Sequence, residues 1–316
     1  MRQKEAQKTA NPGKGTEKIN PWRGVLVVQV QIRQEEYKES VRREKLEAYP
    51  FLKWAGGKAS LLEQFKPLFP TQFDSYFEPF IGGAAVYLYL QPERSVISDI
   101  NPRLIDTYLS IRDEPEEVIS HLVALRAAHS KEHYYASRER LNENKALSRP
   151  ERAALQVYLN KTCFNGLYRE NRRGDFNVPL GRYQNPSVFD AINIKNVSSC
   201  LKKADIICQP FEHILERAVA GDFIYLDPPY MPVSETSNFT SFTRFGFGLF
   251  DQERLAEVCR ILDDRGCLFM QSNSDVPLLS ELYSGFHISR VDARRNINSK
   301  GGRRGPVKEL VIRNYR

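Results

Sequence analysis

The feature that most constrains the fold is an apolar run that ends abruptly in two prolines. Residues 223–226 read Phe-Ile-Tyr-Leu, a short continuous apolar segment typical of a buried strand. Pro228 and Pro229 cannot continue a sheet ladder, so the strand must end at Asp227. Because ligands bind at the carboxyl ends of strands in open α/β sheets, we expect an α/β fold with a ligand site around Asp227.

The residues after this strand offer two hydrogen-bond acceptors and an aromatic face. The carboxylate of Asp227 is one acceptor, and the backbone carbonyl of Pro228, restricted by the following proline, is the other. Two neighbouring acceptors match the two N–H donors of an exocyclic amino group, and the ring of Tyr230 offers a surface for stacking. An ordinary strand-ending turn with an exposed aspartate is the alternative, and four residues alone leave both interpretations open.

Composition excludes several classes of protein. The chain has 316 residues, of which 41% are hydrophobic and 27% charged, as in a globular protein with a large core. No apolar run approaches the roughly 18 residues of a membrane span, and the N-terminus lacks the apolar core of a signal peptide. The five cysteines form no Cys-x-x-Cys pair and the histidines are scattered. We therefore expect no metal site, no disulfide framework and a cytoplasmic location.

The net charge of +7 is concentrated at the C-terminal end. Residues 290–316 contain nine Lys and Arg against two Asp and Glu, so the rest of the chain is neutral. A neutral body with a basic end is typical of a protein that binds a polyanion, and a solvated basic tail is the alternative. The most basic stretch, residues 294–304, lies between two predicted strands, 286–292 and 307–313, which we expect to close a parallel sheet as antiparallel strands.

A strand, a glycine turn and a helix at residues 75–86 indicate half of a nucleotide-binding unit. Gly82 begins the turn, and the next predicted strand, residues 94–98, ends on Asp99. Asp99 follows Gly82 by 17 residues, close to the roughly 20 at which an acid meets a ribose in such folds. Since no Gly-x-Gly-x-x-Gly sequence occurs, the pattern favours an adenosine-type cofactor over a dinucleotide.

A second glycine pair, Gly56 and Gly57, precedes a predicted helix over residues 58–65. Paired glycines let backbone N–H groups approach a ligand closely. If the segment is helical, Trp54 and Lys58 lie one turn apart and present a ring and a cation to an adenosine or a carboxylate. The spacing is not that of a phosphate-binding loop, so this segment alone is weak support for a site.

The α/β pattern is interrupted by residues 113–200, where two or three charged amphipathic helices are predicted. Within this stretch, an Arg-Gly turn between alternating runs at residues 162–183 predicts a β-hairpin. Its arginines are interleaved with aromatic residues, as base reading and stacking require, and a merely exposed hairpin is the alternative. The aromatic residues are Phe164, Tyr168, Phe176 and Tyr183.

These patterns divide the chain into three parts. Residues 1–46 form an N-terminal extension that we expect to be partly disordered, with strand character at 24–32. Residues 47–112 and 201–316 form the catalytic domain, which is interrupted by the inserted domain of residues 113–200.

Six blocks of the chain, taken together and in order, resemble the DNA adenine-N6 methyltransferases of the Dam type, which are the α group of the D12 class. The resemblance runs from residue 51 to the C-terminus. The blocks are Lys53-Trp54-Ala55-Gly56-Gly57-Lys58, Phe80-Ile81-Gly82-Gly83-Ala84, Asp99-Ile100-Asn101-Pro102, Cys163-Phe164-Asn165-Gly166-Leu167, Phe176-Asn177-Val178-Pro179 and Asp227-Pro228-Pro229-Tyr230. Two departures are Ala84, in place of the last glycine of its loop, and Phe164, where some relatives carry tyrosine.

The resemblance implies a fold and an activity. The fold is α/β, a Rossmann-like sheet of an S-adenosylmethionine-dependent methyltransferase, with an inserted, mainly helical target-recognition domain that carries the hairpin. The activity is that of a site-specific adenine DNA methyltransferase (EC 2.1.1.72), which flips an adenine out of double-stranded DNA, in the sequence GATC. We expect a monomer, with a dimer on DNA as the alternative. Whether the enzyme acts alone or beside a restriction nuclease stays open.

The resemblance also assigns roles to residues. The implied catalytic residues are Asp227, Pro228 and Tyr230. The implied cofactor contacts are Trp54, Lys58, Phe80, Gly82, Asp99 and Asp227. The implied DNA contacts are Lys53, Phe164, Asn165, Leu167, Arg169, Arg173, Pro179 and Tyr183, with Arg169 reading a guanine.

Two other functions remain as alternatives. Cytosine-N4 methylation presents an exocyclic amino group to the same two acceptors, but the order of the blocks and the recognition insert favour adenine. A non-catalytic nucleic-acid-binding relative is the second alternative, and the presence of both halves of the expected site counts against it. No Pro-Cys pair occurs in the chain, so a cysteine nucleophile attacking cytosine C5 has no support.

Overall fold

One mixed sheet of seven strands organises the fold. The strands are β1 (Tyr76–Glu78), β2 (Ser95–Asp99), β3 (Ala204–Cys208), β4 (Phe223–Leu226), β5 (Leu268–Ser274), β6 (His287–Arg294) and β7 (Pro306–Arg313). Their order is β3-β2-β1-β4-β5-β7-β6. Strands β1 to β5 are parallel, and β7 lies antiparallel between β5 and β6. This arrangement confirms the predicted α/β sheet and its antiparallel closure.

The structure is a computed structural model that describes residues 45–143, 146–232, 247–294 and 306–316. Residues 46–316 form one compact unit, to which this description refers. The predicted strand at 24–32 and most of the basic stretch 294–304 lie outside the described residues. The division of residues 46–316 into a catalytic and an inserted domain stays a prediction.

The described residues form nine α-helices. They are α1 (Leu62–Phe65), α2 (Ala85–Leu90), α3 (Pro102–Asp113), α4 (Pro115–Ala127), α5 (Lys131–Glu143), α6 (Arg149–Thr162), α7 (Ala191–Leu201), α8 (Leu249–Asp264) and α9 (Pro277–Leu282). None of them is long and apolar enough to cross a membrane. In the same residues, no group of three or more His, Cys, Asp and Glu side chains could hold a metal ion.

Local sequence explains where α3 and α6 begin. The side chain of Asn101 accepts hydrogen bonds from the N–H groups of Arg103 and Leu104, and Pro102 starts α3 with the fixed φ that a first helical turn requires. Ser148 caps α6 in the same way. Because ten of the 14 residues of α6 are buried, this helix forms the centre of a helical cluster, with α3, α4 and α5 packed around it.

Strand β4 is apolar throughout because both faces of the sheet are covered. Phe223 and Tyr225 belong to one hydrophobic cluster, on the side of the inserted helices. Ile224 and Leu226 belong to a second cluster, packed with α8. Side chains alternate between the two faces of a strand, so a strand buried on both faces shows no polar alternation.

The structure corrects three details of the predicted elements. The predicted helix at 58–65 is a 3-10 turn, Lys58–Leu61, followed by the single turn α1. Helix α7 was not predicted. The predicted hairpin holds only two isolated antiparallel bridges, Cys163↔Leu180 and Glu170↔Phe176.

The reason for the irregular hairpin is that side chains and turns take up the backbone groups that a ladder would pair. The side chain of Asn171 accepts the N–H groups of Arg173 and Asp175, and a 3-10 turn occupies Phe164–Gly166. Pro179 has no N–H to donate.

Candidate active site

A cavity of about 560 Å³ lies at the carboxyl ends of β1, β2 and β4. Strand order reverses between β1 and β4, and such a switch point is where open α/β sheets bind ligands. The volume falls in the range of about 300–1,000 Å³ typical of small-molecule sites. All of the predicted catalytic and cofactor residues line it: Trp54, Lys58, Phe80, Gly82, Asp99, Asp227, Pro228 and Tyr230.

Asp227 sits at the end of β4 between a cation and a hydroxyl. Its Oδ1 lies 2.8 Å from Nζ of Lys58 and accepts a hydrogen bond of 2.9 Å from Oγ of Ser272. Burial raises the pKa of Asp227, and both Lys58 and Ser272 act in the opposite direction because they stabilise the charged form. The Lys58 side chain is only 4% exposed, so the two groups form a largely buried ion pair.

The ring of Tyr230 faces the same cation. Nζ of Lys58 lies 4.7 Å from the ring centroid, and the Tyr230 hydroxyl donates a hydrogen bond of 2.7 Å to Glu309 on β7. Burial raises the pKa of Tyr230 well above its usual value, so the hydroxyl keeps its proton. Asp227, Tyr230 and Lys58 therefore form one contiguous group.

The cofactor half of the cavity is built around Gly82, whose φ is +44°. A Cβ atom at this position would lie 2.8 Å from Cδ1 of Trp54, so a side chain here would displace the indole. The indole also stacks on Tyr168, with ring centroids 5.1 Å apart and planes 27° apart. Trp54 and Lys58 do not lie on one helical turn as predicted, since residues 53–57 are not helical, but both line the cavity.

Asp99 is fixed by the backbone of two neighbouring loops. Its Oδ2 accepts the N–H of Gly82 at 3.3 Å and its Oδ1 accepts the N–H of Asn101 at 3.0 Å. Burial raises the pKa of Asp99 to about 6. Each carboxylate oxygen has a further lone pair, so Asp99 can still accept hydrogen bonds from ligand hydroxyls.

Four residues that contact the site were not identified by the sequence analysis because their partners are distant in sequence. Ser272 and Asn273 lie at the carboxyl end of β5, four to five residues beyond its apolar start. Gln252 on α8 donates to the carbonyl of Pro229, and Glu309 holds Tyr230. A run of buried polar residues, Gln271-Ser272-Asn273-Ser274, at the end of an otherwise apolar strand is the one signal that could have revealed part of this set.

A further carboxyl group, that of Glu78 at the end of β1, was also missed. It is 2% exposed, lines the cavity and accepts a hydrogen bond of 2.6 Å from the hydroxyl of Tyr76. Burial raises the pKa of Glu78 to about 8. An acid that ends a buried strand beside the glycine turn is the sequence signal that marks it.

The predicted DNA contacts lie in the loops of residues 162–183 and beside them. Six are exposed: Phe164, Asn165, Arg169, Arg173, Pro179 and Tyr183. Leu167 and Lys53 are half-buried. Lys53 joins this surface because its Nζ lies 4.3 Å from the centroid of the Tyr183 ring and 3.1 Å from the Tyr183 hydroxyl. Nε of Arg169 donates to the side chain of Asn177 at 2.7 Å.

Two of the four aromatic residues predicted for stacking are part of the core instead. Tyr168 is 4% exposed and Phe176 is 1% exposed. Tyr168 packs on Trp54, and Phe176 packs on Tyr168 with centroids 6.0 Å apart. Only Phe164 and Tyr183 are available for contact with a base, because alternate residues of this segment point inward.

Comparison with known proteins identifies a family and several relatives. The profile of the family described as D12 class N6 adenine-specific DNA methyltransferase matches residues 54–297. Type II methyltransferase M.MjaIII of Methanocaldococcus jannaschii is 44% identical over 289 residues, which cover 85% of this chain and 100% of the relative. Type II methyltransferase M1.LlaDCHI of Lactococcus lactis subsp. cremoris is 41% identical, covering 87% and 98%.

A third relative is named a DNA adenine methylase rather than a type II methyltransferase. The DNA adenine methylase of Escherichia coli K12 is 36% identical over 263 residues, covering 83% of this chain and 93% of the relative. The family match spans most of the chain, and these relatives are covered over nearly their whole length. The chain therefore belongs to the D12 class of N6 adenine-specific DNA methyltransferases.

Proposed function

We propose that this chain transfers a methyl group from S-adenosylmethionine to N6 of an adenine that is flipped out of double-stranded DNA, in a GATC-like site. The observation that carries the proposal is the composition of one cavity. Its walls combine the acceptor and aromatic group of residues 227–230 with the glycine turn and acid of a nucleotide-binding unit. A methyl donor and a base with an exocyclic amino group are the two ligands that such a combination suits.

The residues of the cofactor half fit S-adenosylmethionine. The carboxylate of Asp99 would accept hydrogen bonds from the ribose hydroxyls, and Gly82 leaves room that a side chain would fill. Phe80 and Phe211, stacked at 5.5 Å, supply an apolar wall for the adenine ring, and Trp54 and Lys58 complete the lining. When bound, this cofactor supplies an electrophilic methyl group on a sulfonium.

The residues of the catalytic half would prepare the target amino group. Its nitrogen is a poor nucleophile because its lone pair is delocalised into the ring. Asp227 and the Pro228 carbonyl would accept the two amino hydrogens and so hold the lone pair in a fixed direction, while the base stacks on Tyr230. The same acceptors stabilise the positive charge that develops on nitrogen, and fixed orientation supplies much of the acceleration. No covalent intermediate with the protein is required.

The exposed residues of the loops 162–183, together with Lys53, would contact the DNA around the target base. These contacts would offset the free energy cost of base flipping and determine which DNA sequence is methylated. Extruding a base costs a few kcal/mol, which contacts to the flanking DNA must offset. Arg169, exposed between two inward-facing residues, would read a guanine, and Phe164 and Tyr183 would stack or pack on bases. Lys53, Asn165, Leu167, Arg173 and Pro179 would complete the contact. On this view residues 113–200 are the target-recognition domain.

The proposal is tested by expressing the protein in a methylation-free host and sequencing the host DNA for modified bases. Mass spectrometry of the nucleosides should find N6-methyladenine, and the modified positions should share one GATC-like sequence. N4-methylcytosine would show that cytosine is the target. Unmodified DNA, from a folded protein that still binds S-adenosylmethionine, would indicate a non-catalytic relative. The same host carrying Asp227→Ala is the matched control.

A further inference from the structure

The two oxygens of the Asp227 carboxylate have different surroundings. Both polar contacts go to Oδ1, one from Nζ of Lys58 at 2.8 Å and one from Oγ of Ser272 at 2.9 Å. In the described part of the chain, no residue makes a hydrogen bond to Oδ2. The side chain of Asp227 is 20% exposed, and it lines the cavity. Oδ2 is thus the oxygen left for a ligand.

The hydrogen bond from Ser272 has only one direction. A carboxylate can only accept, so the single hydroxyl hydrogen of Ser272 goes to Asp227. The hydroxyl of Tyr225 lies 3.0 Å from Oγ of Ser272 and must therefore donate to it. Tyr225 is 1% exposed and Ser272 is 0% exposed, so no water competes for either group. This chain of two hydrogen bonds fixes the rotation of the carboxylate.

Of the two proline carbonyl groups in the same loop, one already accepts a hydrogen bond and the other does not. Nε2 of Gln252 donates to the carbonyl of Pro229 at 2.9 Å. The orientation of this amide is fixed because Oε1 of Gln252 accepts from Nδ2 of Asn273 at 3.1 Å. Oδ1 of Asn273 in turn accepts the N–H of Met231 at 3.3 Å. The carbonyl of Pro229 is occupied, whereas no described residue donates to the carbonyl of Pro228.

We propose that Ser272, Gln252 and Asn273 are positioning residues that select the binding place of the target amino group. They occupy Oδ1 of Asp227 and the carbonyl of Pro229, and they leave Oδ2 of Asp227 and the carbonyl of Pro228 as the acceptor pair. This inference rests on the proposed function, since it assigns an amino group to that pair. It goes beyond that function by naming the residues of β5 and α8 that determine which two oxygens remain for the amino group.

The pH dependence of methyl transfer distinguishes this role from a structural one. The charged and titratable groups facing Asp227 are Lys58, Glu78, Tyr225 and Tyr230, and Glu309 interacts with the two tyrosines. Activity requires the ionised carboxylate, so it is lost as pH falls through the pKa of Asp227. The Ser272 hydroxyl lowers that pKa. Removing it raises the pKa and moves the acid limb of the rate profile to higher pH, which a packing defect would not do.

The experiment compares Ser272→Ala with wild-type protein in single-turnover methyl transfer from tritiated S-adenosylmethionine to duplex DNA, between pH 5 and 9. We expect a rate about 10- to 100-fold lower near pH 7, the effect of losing a hydrogen bond to a charged group, and an acid limb shifted to higher pH. Cofactor affinity, measured by calorimetric titration, should stay within about twofold. An unshifted acid limb would overturn the proposal.

Two further variants separate the role from folding. Ser95→Ala is the matched control: Ser95 is a buried strand serine whose Oγ donates to the carbonyl of Lys203 at 3.2 Å, at the opposite end of the sheet, and its profile should match wild type. Ser272→Thr keeps the hydroxyl and should restore the acid limb even where its extra methyl lowers the unfolding temperature. If the acid limb of the pH profile shifted in Ser272→Thr or Ser95→Ala as far as it does in Ser272→Ala, the shift would not be due to the Ser272 hydroxyl. That result would contradict the positioning role of Ser272.

Gln252→Met separately tests the hydrogen bond from Gln252 to the carbonyl of Pro229. Its side chain has nearly the same shape but no donor for Pro229, so the rate should fall without a shift of the acid limb. A wild-type rate in this variant would remove Gln252 from the set. Failure of the wild-type protein itself to methylate any DNA would sink the proposed function, whereas methylation by wild type with an unaltered Ser272→Ala would sink only this inference.

Discussion

At the scale of single residues, the site is a balance of buried charges. Lys58 contacts Asp227 and lies over the ring of Tyr230. The proposed mechanism places the amino group of the target base on the other oxygen of Asp227 and the plane of the base on the same ring of Tyr230. A base that stacks on this ring must therefore share it with Lys58 or displace the cation from it.

The first prediction concerns Asp227→Ala. The variant removes one of the two acceptors and leaves the buried Lys58 without its partner, so methyl transfer should fall by at least about 100- to 1,000-fold. Transfer of tritium from labelled cofactor to DNA measures this directly. Cofactor binding, titrated in parallel, shows whether the pocket persists. Activity near the wild-type level would exclude Asp227 from the chemistry.

The second prediction concerns the buried carboxyl group of Glu78, whose pKa is raised to about 8. Its pKa in the unfolded chain is near 4.5, so between these values the folded protein binds the extra proton and stability falls as pH rises. Glu78→Gln has no proton to lose and keeps an acceptor for Tyr76. Relative to wild type, the free energy of unfolding of this variant should rise by roughly 3 kcal/mol from pH 5 to pH 8, which corresponds to a rise in unfolding temperature of roughly 5–10 °C.

The control for Glu78→Gln is the exposed Glu117→Gln, which should show no pH-dependent difference from wild type. A Glu78→Gln variant whose unfolding temperature follows that of wild type at every pH would show that Glu78 is charged in the folded protein at neutral pH.

At the scale of elements, the loops of residues 162–183 contact the cofactor half of the active-site cavity at two points. Tyr168 stacks on Trp54, and its hydroxyl donates to Glu170, whose Oε1 lies 3.7 Å from Arg103 in the first turn of α3. That turn follows Asp99 directly. The exposed Arg169 lies between these two inward contacts, so a guanine contact at Arg169 and the cofactor pocket share one short segment.

The third prediction follows from the stack on Trp54. Tyr168→Ala should weaken S-adenosylhomocysteine binding by about two- to tenfold, because an aromatic pair contributes about 0.5–1.5 kcal/mol beyond buried area. Tyr168→Phe keeps the ring and should bind as wild type does, although it loses the hydrogen bond to Glu170. Calorimetric titration decides between them. Equal affinities for all three proteins would mean that Tyr168 only fills the core.

The fourth prediction concerns sequence readout by Arg169. Arg169→Ala should relax the choice of one base pair by roughly 1–3 kcal/mol while leaving the rate on the preferred site measurable. Sequencing methylated plasmid libraries gives the preference at every position. Asn177→Ala, which removes the partner that orients the guanidinium of Arg169, should reduce the base preference at the same position by a smaller amount. An unchanged preference in Arg169→Ala would exclude direct readout by this residue.

At the scale of the whole molecule, strands β6 and β7 bring both ends of the basic stretch to the edge of the sheet that holds the active-site cavity. β6 runs parallel to β5, because both are antiparallel to β7. The connection from Arg294 to Pro306 therefore starts and ends at the edge that holds the cavity. This stretch contributes much of the basic surplus of residues 290–316, which equals the net charge of the whole chain. A charge so placed would hold DNA at the catalytic edge.

The fifth prediction tests that placement. Replacing Arg303 and Arg304 by Gln should weaken binding to specific and unrelated duplexes alike and lower the slope of log K against log salt by about 2. The control replaces Arg94 and Arg217, which lie at the amino ends of the strands, and makes the same change in net charge. Fluorescence anisotropy at several salt concentrations measures both. Equal slopes for the two double variants would show that the basic stretch makes no specific contribution.

Local sequence determined most of the elements of this protein and the end of β4 at residues 227–230. Prolines end strands, glycines permit turns, and apolar runs require burial, so the order of strands and the acids at their ends could be predicted from residues near each other in the chain. The 3-10 turn after Gly57 and the irregular loops of residues 162–183 could not, because side-chain contacts such as those of Asn171 decide them.

Only the tertiary structure decided which groups surround Asp227. Ser272 lies 45 residues from it, Gln252 lies 23 residues from Pro229, and Glu309 lies 79 residues from Tyr230. The burial of Tyr168 and Phe176 likewise depends on Trp54, more than a hundred residues earlier in the chain. A sequence pattern records periodicity and backbone restrictions along one segment. Hydrogen bonds and ion pairs between distant segments leave no such pattern, since they depend on how the sheet brings the ends of its strands together.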